Sequence, residues 1–131
     1  DQTHMVLDGL ATLSPTVIVH QKDLIDMSLG KAGKRTNHVE VLKIDCLEIV
    51  QRLNRKGFER IAVLNMASNV SPGGGVSKGK GAQEEDFYRR TDISRHTKQW
   101  YQTAVHYPLN SPHPVAMIVK DVTIIRGPCD E

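Results

Sequence analysis

Residues 39–64, VEVLKIDCLEIVQRLNRKGFERIAVL, carry the pattern on which the fold turns. Val39, Val41 and Ile44 mark a strand. Asp45 then opens a helix, because Asp45 and Glu48 have capping-box spacing and can satisfy orphan N–H groups of the first turn. Cys46, Ile49, Val50 and Leu53 recur at i, i+3, i+4 and i+7 and predict one buried face. Arg55 and Lys56 suit the negative C-terminal end, and Gly57 is a natural residue just past it. Residues 61–64 (IAVL) follow as an unbroken apolar run, the pattern of a strand covered on both faces. Strand, helix and strand make a βαβ unit, whose crossover is right-handed almost without exception.

The stretch that leaves this unit, residues 65–90, reads NMASNVSPGGGVSKGKGAQEEDFYRR. A loop at the carboxyl end of a parallel strand is where open α/β sheets place their ligands. Gly73, Gly74 and Gly75 let the backbone take positive φ and bring N–H groups close to a ligand. Glu84 and Glu85 follow at the start of a helix over 84–91, so the loop is expected to hold an anion and present an acid to it. A purely structural turn with an acidic helix cap is the competing reading. Two phosphate motifs are excluded. Gly74, Gly79 and Lys80 fit GxxxxGK, but Gly81 stands where a P-loop needs Ser or Thr, and no GxGxxG can be laid on these glycines.

Outward from there, residues 16–20 (TVIVH) form a β-branched strand. A brief helix over 24–29, capped by Asp23 and ended by Gly30, is followed by a loop over 31–37. A helix over 94–105 carries Trp100, which reads as a core aromatic. Residues 107–114 are proline-rich and irregular, and 116–119 and 122–125 are strand-like. Residues 1–4 precede Met5 and read as an expression leftover, leaving 5–131 as the domain.

The chain has 131 residues and a formal charge of +2, enough for one domain with a core and too little charge to call for nucleic acid. Local positive charge at Lys78, Lys80, Arg89, Arg90, Arg95 and Lys98 serves either a solvated face or phosphate steering. Cys46 and Cys129 form neither a disulfide framework nor a zinc pattern, which suits a reducing, intracellular compartment, cytoplasmic or nuclear. The histidines show no metal-ligand spacing, and no long apolar segment or signal peptide is present, so neither a metal nor a membrane is expected.

The glycine triplet, the spacer 76–82 and Gln83-Glu84-Glu85 resemble the signature of poly(ADP-ribose) glycohydrolases. VLNMAS before Pro-Gly-Gly-Gly, AQEEDFYRRTDI around the acid, and DVTIIR near the end resemble the microbial type. The resemblance spans 39–126. It implies an α/β fold of macrodomain type, a macrodomain-like mixed sheet flanked by helices. It also implies a role in the DNA damage response, with poly(ADP-ribose) or ADP-ribosylated proteins as partners and no cofactor.

Carried over by the motif, Glu85 matches the catalytic acid and Glu84 the neighbour that positions the ribose. Gly73, Gly74, Gly75, Val76 and Gln83 match the ligand-binding loop and its anchor. Asn69 stands at the spacing of a ribose-contacting asparagine, with an Asx-turn as its other reading; Ser71 occupies the place where microbial members often carry asparagine. The implied reaction is hydrolysis of the ribose–ribose O-glycosidic bond. Glu85 would donate a proton to the leaving oxygen and then accept one from water, its pKa raised by burial and by the substrate diphosphate.

The family's domain continues past the strand resembling 122–126, so the sheet is expected to be incomplete at its C-terminal end, with a second chain or copy as one way to complete it. A non-hydrolysing ADP-ribose reader and a non-enzymatic fragment acting through protein contacts are the rival readings.

Overall fold

The computed structural model describes residues 15–20, 38–102, 107 and 115–127, with backbone alone at 18–20, 99–102 and 115. The helix expected over 24–29, the loop over 31–37, most of 107–114 and the side chain of Trp100 lie outside the described residues. Five elements and one 3-10 turn are present among them. They are β1 (Val17–His20), α1 (Cys46–Arg55), the 3-10 turn Val76–Lys78, α2 (Gln83–Arg90), α3 (Ile93–Gln102) and β2 (Val115–Ile118). The domain is therefore mixed α/β.

α1 forms where local chemistry places it. Asp45 takes an extended conformation (φ −60°, ψ 136°), and its Oδ1 accepts the Glu48 N–H at 2.9 Å. The reciprocal half of the capping box is not made, because the Glu48 carboxylate pairs with Arg52 at 2.6 Å. At the other end the Phe58 N–H reaches Leu53 O at 3.1 Å and the Gly57 N–H reaches Asn54 O at 2.9 Å. That is a Schellman closure, and the φ of +87° at Gly57 explains the glycine. The buried residue of α1 is Leu47, at 5% exposure, with Cys46 packed partly beside it. Ile49, Val50 and Leu53 are half-buried, so the expected inner face is rotated by about one residue.

The two strands predicted to flank α1 are absent. Residues 38–44 and 58–67 carry no strand pairing; Val39 is 82% and Val41 93% exposed, and Leu64 is 80% exposed. An apolar run records what a segment needs, while a strand exists only where a neighbour supplies the ladder. The sheet that does form is antiparallel: β1 pairs with β2, in register Val17↔Ile118 to His20↔Val115. No parallel βαβ unit is formed among the described residues, and the glycine loop does not leave a paired strand.

The core sits lower in the chain. Leu47, Phe87 and Ile93 form its centre, with Cys46, Tyr88, Val119 and Ile124 around them. Residues 122–126 dock on the corner between α2 and α3. The Asp92 N–H reaches Thr123 O, the Thr123 N–H reaches Asp92 Oδ1 at 2.6 Å, and the Ile125 and Arg126 N–H groups reach Arg90 O. The strand expected over 122–125 is thus one bridge, Thr91↔Ile124. Tyr107 is buried, and the Tyr88 hydroxyl meets Thr97 Oγ1 at 2.8 Å. No described helix is long and apolar enough to cross a membrane.

One buried ion pair joins α1 to α2. The Arg90 guanidinium, only 4% exposed, donates to Asp45 Oδ1 at 2.8 Å, to Asp45 Oδ2 at 2.9 Å and to Asp86 Oδ2 at 2.7 Å. The bidentate bond to Arg90 holds the Asp45 carboxyl below its ordinary value of 3.8 and lifts the guanidinium well above its own. Because the folded value of Asp45 is depressed, its stabilisation is complete above pH 3.8 and is lost as pH falls through the lower folded value. Arg90→Met should lower the unfolding free energy by about 3 kcal/mol, the lower end for a broken buried pair because Asp45 is partly exposed. Asp86→Asn should cost under about 1 kcal/mol. Urea titrations of the two variants check the ranking.

Candidate active site

α2 begins at Gln83 after Ala82, which caps with its backbone alone. Three carboxylates, Glu84, Glu85 and Asp86, fill its first turn, where the helix dipole favours negative charge. Two of them turn back onto the glycine loop. Glu84, 4% exposed, accepts the Ser68 N–H at 2.6 Å on Oε2 and the Gly73 N–H at 3.0 Å on Oε1. Glu85, 6% exposed, accepts the Gly75 N–H at 2.8 Å on Oε1.

Gly74 lies between the two acids. A Cβ there would stand 2.7 Å from Glu85 Oε1 and 3.2 Å from Glu84 Oε2, and its φ is +53°. Both space and backbone conformation therefore require glycine. The triplet lets two carboxylates approach the main chain, and it does not leave amides open for an anion. The Gly74 N–H reaches Ser71 O and the Val76 N–H reaches Gly73 O, so every amide from Gly73 to Val76 has an internal acceptor. The amides expected to approach a ligand are thus engaged within the chain in the ligand-free protein.

The Glu85 pKa also runs against expectation. The Gly75 N–H, then its own amide and that of Ala82, hold the carboxyl below its ordinary value of 4.5, and the Lys80 charge adds to them. Burial pushes the other way and is outweighed. In the ligand-free protein Glu85 is a carboxylate at neutral pH.

Gln83 works as a clamp on its own chain. Its Nε2 donates to Leu64 O at 3.1 Å and meets Cys46 Sγ at 3.9 Å, while its Oε1 accepts the Met66 N–H at 3.1 Å. Val76 starts the 3-10 turn and is half-buried. Asn69 is exposed, and the side-chain turn in its segment belongs to Ser68, whose Oγ accepts the Val70 N–H at 3.2 Å. The structure thus brings Gln83, Glu84, Glu85, Gly73, Gly74 and Gly75 together and leaves Asn69 on the surface.

Ser68 is a member that the sequence pattern did not single out, and Lys80, one of the local charges expected for a solvated face or phosphate steering, joins it. Lys80 has its stem against Gly75, where a Cβ would meet Lys80 Cγ at 2.8 Å. A backbone donor such as Ser68 N–H has no signature in sequence, whereas the close approach at Gly75 is hinted at by the glycine itself. Among the described residues no group of three His, Cys, Asp or Glu side chains could hold a metal ion.

Residues 8–123 of the chain match the family model described as microbial-type PARG, catalytic domain. No curated protein and no solved structure gives a significant match.

Gly74→Ala should displace both carboxylates and lower stability by about 1–3 kcal/mol, the cost of a strained backbone position. Gly75→Ala should be milder, since the atoms it meets belong to the flexible Lys80 side chain. Chemical denaturation of the pair checks this order. Glu85 also adds an acid-dependent part to stability, present above pH 4.5 and lost as pH falls through its depressed folded value. Thermal melts of Glu85→Gln against the parent across that window should show a flatter acid limb.

Proposed function

The chain belongs to the microbial-type PARG catalytic-domain family, and we propose that it hydrolyses the ribose–ribose O-glycosidic bonds of poly(ADP-ribose) with Glu85 as general acid and base. The observation that carries this reading is the convergence of Glu84 and Glu85 on Gly74, each held by a different loop amide. Glu84 is bonded through both oxygens, so it fixes the loop and leaves proton transfer to its neighbour. Glu85 has one oxygen on Gly75, a single bond that a change in the loop can release.

The barrier to glycoside hydrolysis lies in oxocarbenium character at the anomeric carbon and in a poor alkoxide leaving group. Glu85 starts as a carboxylate. A substrate diphosphate close by disfavours that charge, and loss of the Gly75 bond removes its main stabiliser, so binding prepares the protonated form. Proton transfer to the leaving oxygen expels it as an alcohol. The carboxylate so formed accepts a proton from the attacking water.

The setting belongs to the same proposal. A macrodomain-like sheet flanked by helices is the fold that goes with this reading. A reducing cytoplasmic or nuclear location suits the free thiol of Cys46. Poly(ADP-ribose) or ADP-ribosylated proteins are the partners.

Glu85→Gln should lower ADP-ribose release from poly(ADP-ribose) by about 10²–10⁴-fold, the range for a lost general acid, with ADP-ribose affinity retained. Chromatographic product assays beside calorimetric titrations read both quantities. Full activity in that variant would sink the mechanism. A parent protein that binds ADP-ribose and releases none would instead be a reader.

A further inference from the structure

Two α2 carboxylates meet the glycine loop and no amide from Gly73 to Val76 is open, so the charge at their meeting point is negative. An ADP-ribosyl ligand brings a diphosphate, also negative. Bringing like charges together costs free energy unless a cation stands between them. The amides from Gly73 to Val76 already have acceptors within the chain, which points to a side-chain cation.

Six charged groups lie on the two elements that meet at Glu85. α2 contributes Glu84, Asp86, Arg89 and Arg90, and the loop contributes Lys78 and Lys80. Asp86 and Arg90 pair with each other at 2.7 Å, and the Arg89 guanidinium is held on the Lys80 carbonyl. Lys80 is placed by three contacts. Its N–H donates to Gly75 O at 3.2 Å, its carbonyl takes the Arg89 bond, and its stem lies on Gly75, whose own N–H holds Glu85. The residue is exposed, so its head group is open to a ligand.

We propose that Lys80 is the phosphate-contacting cation of this loop, balancing Glu85 in the free protein and transferring that charge to the diphosphate of the bound ligand. This rests on the ADP-ribosyl reading of the site. It makes one residue serve two states: a counter-charge for the acid before binding, and a ligand contact afterwards. Lys80 is also specific for ligands with phosphate, because a nucleoside gives it nothing to hold.

The test uses the whole chain with Lys80→Met, which keeps the stem on Gly75 and removes the charge, and Lys80→Arg, which restores a charge. ADP-ribose and adenosine are titrated calorimetrically at two salt concentrations. Lys80→Met should bind ADP-ribose about ten- to hundredfold more weakly, the effect of one charge-assisted bond. Its salt dependence should be flatter, its adenosine affinity unchanged, and Lys80→Arg should recover most of the loss. Equal weakening toward both ligands would mark Lys80 as merely structural and overturn the proposal, as would unchanged ADP-ribose affinity. A parent chain that fails to bind ADP-ribose overturns this assignment and the ADP-ribosyl reading together. A parent that binds while Lys80→Met matches it overturns the assignment alone.

Discussion

The Arg90 guanidinium is the interaction on which the rest of the domain depends. It lies at the end of α2, almost fully buried, with both Asp45 oxygens on one side and Asp86 on the other. Asp45 is also the N-cap of α1, so one carboxylate closes a helix end and receives the ion pair. The Arg90 carbonyl accepts from Ile125 and Arg126, which ties in the segment after β2. A desolvated ion pair of this kind adds little net stability over apolar replacement of both partners, but removing the arginine alone leaves the partly buried Asp45 and Asp86 without their counter-charge. It fixes the C-terminal end of α2 against the N-cap of α1, while the first turn of α2 meets the glycine loop.

At that first turn the loop and the acids define each other. Glu84 and Glu85 take the amides that a phosphate nest would have offered, and the glycines exist to let them in. Glu85 rests in its ionised form, and the amides from Gly73 to Val76 are engaged within the chain.

How much of this was legible in the sequence follows range. α1 was readable at both ends, because Asp45–Glu48 and Leu53–Phe58 are contacts within one turn and Gly57 marks its own positive φ. α2 and the start of α3 were placed within a residue or two for the same reason. The strands over 39–44 and 61–64 were misread, since their apolar pattern says nothing about whether a partner is present. Val41 has the composition of a sheet residue and the exposure of a surface one. Arg90 and Asp45 are 45 positions apart, and no local signal couples an arginine in α2 to the cap of α1. The paired carboxylates were picked out through the glycine triplet and Gln83-Glu84-Glu85, whereas the lowered pKa of Glu85 needed the Gly75 amide in three dimensions.

The account turns on Glu85 being held as a carboxylate in the free protein and prepared for proton transfer by the ligand. Carbon-13 NMR of the Glu85 side-chain carboxyl, titrated with and without saturating ADP-ribose, reads this directly. A midpoint below 4.5 in the free protein that moves upward with ligand is the predicted result. A free-protein midpoint at or above 4.5, or one that stays in place when ADP-ribose is bound, would contradict it.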